Sequence, residues 1–304
     1  MARKPRDYSW PPAPGALPGT ITDNHTHLES LGDVLRDGVE LPSITQVIEQ
    51  AASVGVTRMI QVGCDLDSAR ATVKMIGEHP ALAGAIAIHP NEAPLHARTA
   101  DVGPDELEPR YEARHDVPLD EALTEIEALA RAHSKVRAIG ETGLDLFRSG
   151  PRGFATQKES FRAHIALAKE LGLALQIHDR EAHQEVMDIL LADGAPEKTV
   201  FHCFSGDKEM ALKAAEQGWY LSFAGPLTFG SNSDLREALA VTPASHYMVE
   251  TDAPYLTPHP YRGRPNAPYL IPVTVAGIAQ VRGISLEQVC AEVSATTRTV
   301  YGDW

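Results

Sequence analysis

The chain reads as a (β/α)8 TIM barrel, and three observations predict it. From Thr20 onward, short β-like runs alternate with stretches of helical apolar spacing. Eight such runs can be marked, most of them followed by a helix, which suits a closed barrel better than an open doubly wound sheet. Residues able to bind metal recur at the C-terminal ends of these runs, the face on which barrel enzymes carry their sites. A length of 304 residues fits, since α/β barrels use roughly 250 residues as one domain. With 43% hydrophobic and 22% charged residues, a sizeable core can form.

Taken in order, residues 1–19 are rich in Pro and Gly and predict an extended arm, leaving 20–304 as a single barrel domain. ITDNHTHL (21–28) is the first strand, with a helix over 43–54, and TRMIQVG (57–63) is the second, with a helix over 68–78. LAGAIAIHP (82–90), KVRAIGETGLD (135–145) and LALQIHDR (173–180) follow. TVFHCFSG (199–206), WYLSFAG (219–225) and HYMVETDAP (246–254) complete the set. TQKESFRAHIALAKELG and DKEMALKAAEQG carry amphipathic helical spacing, and each ends at a Gly suited to a C-cap. No GxGxxG, and no GxxxxGK before Ser or Thr, follows any strand, so the usual nucleotide cradles are excluded. Residues 91–120 are polar, acidic and broken by prolines. They predict a long functional or mobile loop over the active face, with His96 and His115 as solvated loop histidines.

A balance of 27 Lys plus Arg against 41 Asp plus Glu, net −14, argues against a broad basic nucleic-acid surface. Any nucleic acid would be a substrate gripped locally. Cys64, Cys203 and Cys290 stand alone without a CxxC, which points to reduced thiols. No secretory h-region and no run of about 20 apolar residues is present, so the expectation is a cytoplasmic chain without membrane contact. Nothing demands an obligate protein partner.

The first strand ends in Asp23, His25 and His27, the third in His89, and the fourth in Glu141 and Asp145. The fifth ends in His178, the sixth in His202, and the eighth in Glu250 and Asp252. Alternate residues of a strand share a face, so His25 and His27 project together and can hold one cation. His178 and His202 come from neighbouring strands and can hold a second, with Glu141 between them able to give one oxygen to each ion. Any one of these residues has an ordinary reading as a hydrogen-bonded core or surface group. Their recurrence at one end of successive strands, and the cost of burying unpartnered carboxylates, favour a shared cause. Imidazole and carboxylate ligands suit two divalent ions drawn from Mg, Mn, Zn, Co or Ni.

The segments DNHTHL, AIHPNEA, IGETGLD, QIHDREA, FHCFSG and VETDAPYL, in that order, resemble the signature stretches of the TatD family of metal-dependent deoxyribonucleases. The likeness runs from about Thr20 to the C-terminus. It implies a barrel hydrolase of the amidohydrolase-like superfamily that cleaves phosphodiester bonds in DNA, often as a 3′ to 5′ exonuclease. It also implies that His25, His27 and Asp252 bind one metal, His178 and His202 the other, that Glu141 bridges, and that His89 and Arg180 sit near substrate. Asn91 stands where many members carry a second histidine after HP, and Ala267 where Glu is common. These departures leave the ligand set whole and touch the substrate side. Asp252 is the expected general base. Arg148, Arg262 and Arg264 are further phosphate clamps, and Asp23 and Thr142 orient ligands, Asp23 by bonding a ligand histidine. The alternative is a related barrel enzyme hydrolysing a small ester, lactone, amide or phosphotriester. Many of those bridge their metals with a modified lysine on strand four, where this chain has Glu141.

Overall fold

The computed structural model describes residues 7–304. Its eight strands are β1 (Ile21–Thr26), β2 (Val56–Gly63), β3 (Leu82–Ile86), β4 (Val136–Asp145), β5 (Ala174–Arg180), β6 (Thr199–Phe201), β7 (Tyr220–Phe223) and β8 (Tyr247–Val249). They lie side by side in chain order, and every neighbouring pair is parallel. The ring closes by a bridge between Thr26 and Ala253, where His27 N donates to Ala253 O at 2.7 Å. This is the TIM barrel that the alternating pattern predicts.

Strand periodicity sorts the core into two shells. Ile60 and Val62 of β2 join Ala83, Ala138, Ala174 and Val200, small residues that fill a narrow barrel interior. Met59, Ile86 and Ile139 face outward into the layer shared with the helices. The helix Pro151–Leu171 shows how one element is set locally. Pro151 supplies a fixed φ at its first position, and Gly172 closes it in the left-handed conformation at φ 64°. From within it, buried His164 accepts from Ile88 N at 3.2 Å and so pins the backbone next to His89.

Five strands end earlier than expected. β1, β3, β6, β7 and β8 stop at Thr26, Ile86, Phe201, Phe223 and Val249, leaving His27, His89, His202 and Asp252 on the turns beyond. Pairing ends there because the chain bends, and both Cys203 (φ 41°) and Asp252 (φ 54°) take left-handed conformations. Segment 91–120 also departs from expectation. It holds the helix Ala93–His96 and the 3-10 turn Ala113–Asp116, and His96 and His115 are buried, not solvated. Glu92 takes hydrogen bonds from Arg114 Nε (2.9 Å) and His115 Nε2 (2.8 Å) and clips the segment shut, while His96 Nδ1 bonds Val117 O at 2.7 Å.

Residues 7–19 of the arm run along the barrel. Leu17 N donates to Val54 O at 3.0 Å, and Tyr269 Oη donates to Pro11 O at 2.6 Å. Residues 1–6 of the expected arm lie outside the described residues. Among the described residues no single helix is long and apolar enough to cross a membrane.

Candidate metal centre

The end of β1 and the first residue beyond it bring the first two imidazoles together, and the barrel decides which nitrogens they present. His25 Nδ1 lies 3.0 Å from Gln176 Oε1. The Gln176 amide nitrogen already donates to Asn24 O (2.9 Å) and Tyr301 Oη (2.7 Å), so its oxygen accepts and His25 Nδ1 carries the proton. His27 Nδ1 donates to Val62 O at 3.2 Å. In its neutral form each ring therefore leaves Nε2 bare, and the two face one another at 3.1 Å. Two lone pairs that close repel unless a cation lies between or beside them. In the structure's own chemistry that cation is a proton on one ring, and a divalent ion fills the same need.

Glu141, in β4, receives the rest. Its Oε2 lies 3.5 Å from His25 Nε2 and 4.0 Å from His27 Nε2. Its Oε1 lies 2.6 Å from His178 Nδ1, 2.7 Å from His202 Nε2 and 3.5 Å from His89 Nε2. Asp252 Oδ1 stands 3.4 Å from His27 Nε2 and 3.9 Å from His25 Nε2. The rings of His25 and His202 stack at 3.9 Å. The structure thus brings His25, His27, Glu141, His178, His202 and Asp252 to one place at the barrel mouth.

Two carboxylates noted at the strand ends have a definite part. Asp145 Oδ2 holds His178 Nε2 at 3.1 Å, and Glu250 Oε1 holds His202 Nδ1 at 3.1 Å. Each leaves the opposite ring nitrogen aimed at Glu141, the way outer carboxylates orient ligand imidazoles. Sequence reasoning missed Gln176, although it lies two residues before His178 and so shares its face of β5. It also missed Cys64, whose thiol donates to Glu141 Oε2 at 3.4 Å from the turn after β2.

The electrostatics follow from burial and pairing. Burial opposes charge on Glu141, but nearby His202 and His89 and the bond from His178 outweigh it and hold the carboxyl well below its usual range. Asp252 is lowered too, its burial outweighed by the bond from His27. Burial likewise opposes charge on His27 and His178, yet the Asp252 bond raises the first to about 9, and the bonds to Asp145 and Glu141 raise the second to about 9. His25 goes the other way, lowered by burial and then by its neighbour His202. The centre is a set of ionised carboxylates that recruits positive charge. Imidazole nitrogen and carboxylate oxygen, without a cysteine among the converging atoms, fit divalent ions of the Zn, Mn, Co, Ni or Mg kind.

The substrate side is less as expected. His89 Nδ1 accepts from Asn91 N at 3.0 Å, so its Nε2 bears the proton and faces the centre as a donor. Arg180 is exposed two residues beyond His178 and stacks on Phe147 at 4.1 Å. Arg148 pairs with Asp105 at 3.0 Å, and Arg264 pairs with Asp7 at 3.0 Å, so both are committed elsewhere. Asp23 touches no ligand imidazole; it accepts from the backbone of Thr251 (2.9 Å) and His25 (3.3 Å), tying β1 to the turn that carries Asp252. Burial raises its carboxyl to about 8. Thr142 bonds His164, in the helix layer, at 3.0 Å. The cleft over the centre encloses about 560 Å³ between His27, Glu29, Cys64, His89, Glu141 and Tyr255.

The family model described as TatD related DNase matches residues 22–302. The chain is similar to the uncharacterized metal-dependent hydrolase TatD of Mycobacterium tuberculosis, at 38% identity over 93% of this chain and 98% of the relative. It is also similar to YabD of Bacillus subtilis, another uncharacterized metal-dependent hydrolase, at 34% identity over 85% and 92% of the two chains. The crystal structure of the TatD homologue YJJV from Escherichia coli shares the fold, with a TM-score of 0.76 and 23% identity over 92% and 97% of the chains. A family match across the barrel, together with relatives this similar over almost their whole length, establishes that the chain belongs to the TatD family of metal-dependent hydrolases.

Proposed function

We propose that this protein hydrolyses phosphodiester bonds in DNA with two divalent metal ions, removing nucleotides from the 3′ end. The observation that carries the reading is the pair of bare imidazole nitrogens of His25 and His27, 3.1 Å apart, beside a Glu141 carboxylate that meets both faces of the centre. In this reading His25, His27 and Asp252 would hold one ion, His178 and His202 would hold the other, and Glu141 would serve both. When bound, such ions polarise a phosphodiester and lower the pKa of a water. The chain's own groups do the rest. Asp252, ionised beside His27, takes the proton of the attacking water. His89 Nε2 and the Arg180 guanidinium donate to phosphate oxygens, and Asp145 and Glu250 keep the two ligand rings in orientation. Glu141 stands where lactone- and phosphotriester-cleaving barrels use a modified lysine, which favours a phosphodiester over those substrates.

The expected DNA contact is local. A cleft of about 560 Å³ admits a chain end, not a duplex, in keeping with a net charge of −14. The test offers end-labelled single-stranded DNA, RNA, a lactone and a phosphotriester to metal-loaded and EDTA-treated protein. Stepwise shortening of DNA from the 3′ end, lost with EDTA and restored by added metal, is expected. Turnover of only a small ester overturns the reading.

A further inference from the structure

Tyr255 is a partition between two spaces. On one side its ring stands edge-on to His27, with centroids 6.2 Å apart, and lines the cleft over Glu141. On the other it lines a groove of about 360 Å³ with Tyr8, Arg36, Phe229 and Arg262. The two spaces differ in charge. Glu29, Asp33, Asp65 and Asp67 border the metal cleft, whereas among the described residues no carboxylate lines the groove.

Two arginines of the groove are held but unspent. Arg262 lies over the Phe229 ring at 4.0 Å, and Arg36 over the Tyr8 ring at 5.2 Å. Among the described residues no carboxylate oxygen lies within 4.0 Å of either guanidinium nitrogen set. A guanidinium already stacked on a ring keeps its donor fork for a phosphate and loses little freedom on binding it. Leaving both without an acid, in a chain of 41 acidic and 27 basic residues, makes the groove receptive to anions. Tyr255 is 45% exposed and offers a free ring face between these arginines and the metal centre.

Tyr8 comes from the N-terminal arm, and the arm is anchored where it passes the groove. Arg264 pairs with Asp7 and donates to Ser9 O at 2.8 Å, while Trp10 Nε1 donates to Glu40 O at 2.9 Å. The wall therefore combines an arm residue, the turn following β1 and the loop beyond Asp252.

We propose that this groove is a subsite for the nucleotide unit next to the scissile bond, with Arg36 and Arg262 taking its phosphate, Tyr255 stacking its base and the arm completing the wall through Tyr8. The inference rests on the phosphodiester reading above, so its test separates the two. Fluorescein-labelled tetrathymidylate is titrated into the full chain in EDTA and followed by anisotropy, for the wild type and for Arg36→Ala, Arg262→Ala, Tyr8→Ala and the two Arg→Lys variants. Each Ala variant is expected to weaken binding about tenfold, from one lost charged bond or stacking surface, with partial recovery in the Lys variants. In metal-loaded protein, kcat/KM of the Ala variants should fall at least about fivefold further on a thymidylate 12-mer than on bis(p-nitrophenyl) phosphate. Affinity within twofold of wild type in every Ala variant, absence of saturable binding by the wild type, or equal losses on the two substrates overturns the subsite. If the wild type cleaves neither phosphodiester, the proposed function falls, and the anisotropy titration still decides the groove.

Discussion

Glu141 meets so many imidazoles because four other strands or their turns end within reach of one carboxylate, and each ring is turned inward by a partner behind it. Removing what lies in front of and behind a ring should therefore differ. Glu141→Ala and His202→Ala should each lower bound metal, measured by emission spectrometry after dialysis, and cut DNA hydrolysis by at least about 100-fold; full retention of both sinks the two-ion reading. Glu250→Gln leaves His202 in place but replaces the carboxylate behind it, 3.1 Å from Nδ1. Metal affinity by calorimetric titration should fall about 10–100-fold, the usual cost of losing such a partner. In the proposed reaction Asp252 takes the proton, so Asp252→Asn should lower kcat by about 100-fold or more, read beside metal content to separate lost binding from lost base. At this scale the residue types at the rim were legible in the sequence. Their proton positions were not, since these depend on partners such as Gln176, which lies 151 residues from His25.

Elements hold the centre through a few close approaches. In β4, Gly143 sits at φ 141°, and a Cβ there would lie 2.1 Å from His178 O. Gly143→Ala should destabilise the fold by about 2 kcal/mol or more and disturb the neighbouring His178; an unchanged thermal midpoint would refute this. In the helix Pro151–Leu171, burial holds His164 at about 4, below its ordinary 6.5, as a neutral ring bonded to Ile88 N and Ser160 O. A depressed histidine contributes stability above its unfolded value, and that contribution is lost as pH falls from about 6.5 towards 4. The loss should reach about 3 kcal/mol in urea melts. His164→Leu should flatten this part of the profile. The sequence marked these elements by periodicity and by their terminal glycines. It overran β3, β6 and β8, because apolar runs continue through turns whose left-handed residues, Cys203 and Asp252, have no Gly to announce them.

Over the whole molecule, excess negative charge is compatible with the proposed phosphodiester cleavage if contact with substrate is confined to a few cations. The logarithm of kcat/KM on single-stranded DNA should then fall with the logarithm of salt at a slope of only about −1 to −2, as expected for two phosphates held by arginine. A slope several times steeper would point to a broad basic face. If divalent metal binds the assembled rim, as the proposed function requires, then at about 100 times its Kd it should stabilise the fold by roughly 3 kcal/mol over the chelator-treated protein, seen as a higher thermal midpoint.

The order of strands and the position of the rim were determined by the sequence itself. Alternating βα units with short connections leave little choice but neighbours in chain order, and period-2 alternation puts His25 and His27 on one side. The tertiary structure alone decided which ring nitrogens are bare, that Asp145 and Glu250 orient the ligands, and that Asp23 serves the Thr251 backbone. It also decided that Glu92 holds His115 and Val117 O holds His96, and that Arg148 and Arg264 are paired with carboxylates while, among the described residues, Arg36 and Arg262 are not. These facts rest on hydrogen bonds and ion pairs between segments brought together only by ring closure, and no local pattern encodes which partner a polar side chain will meet across the barrel.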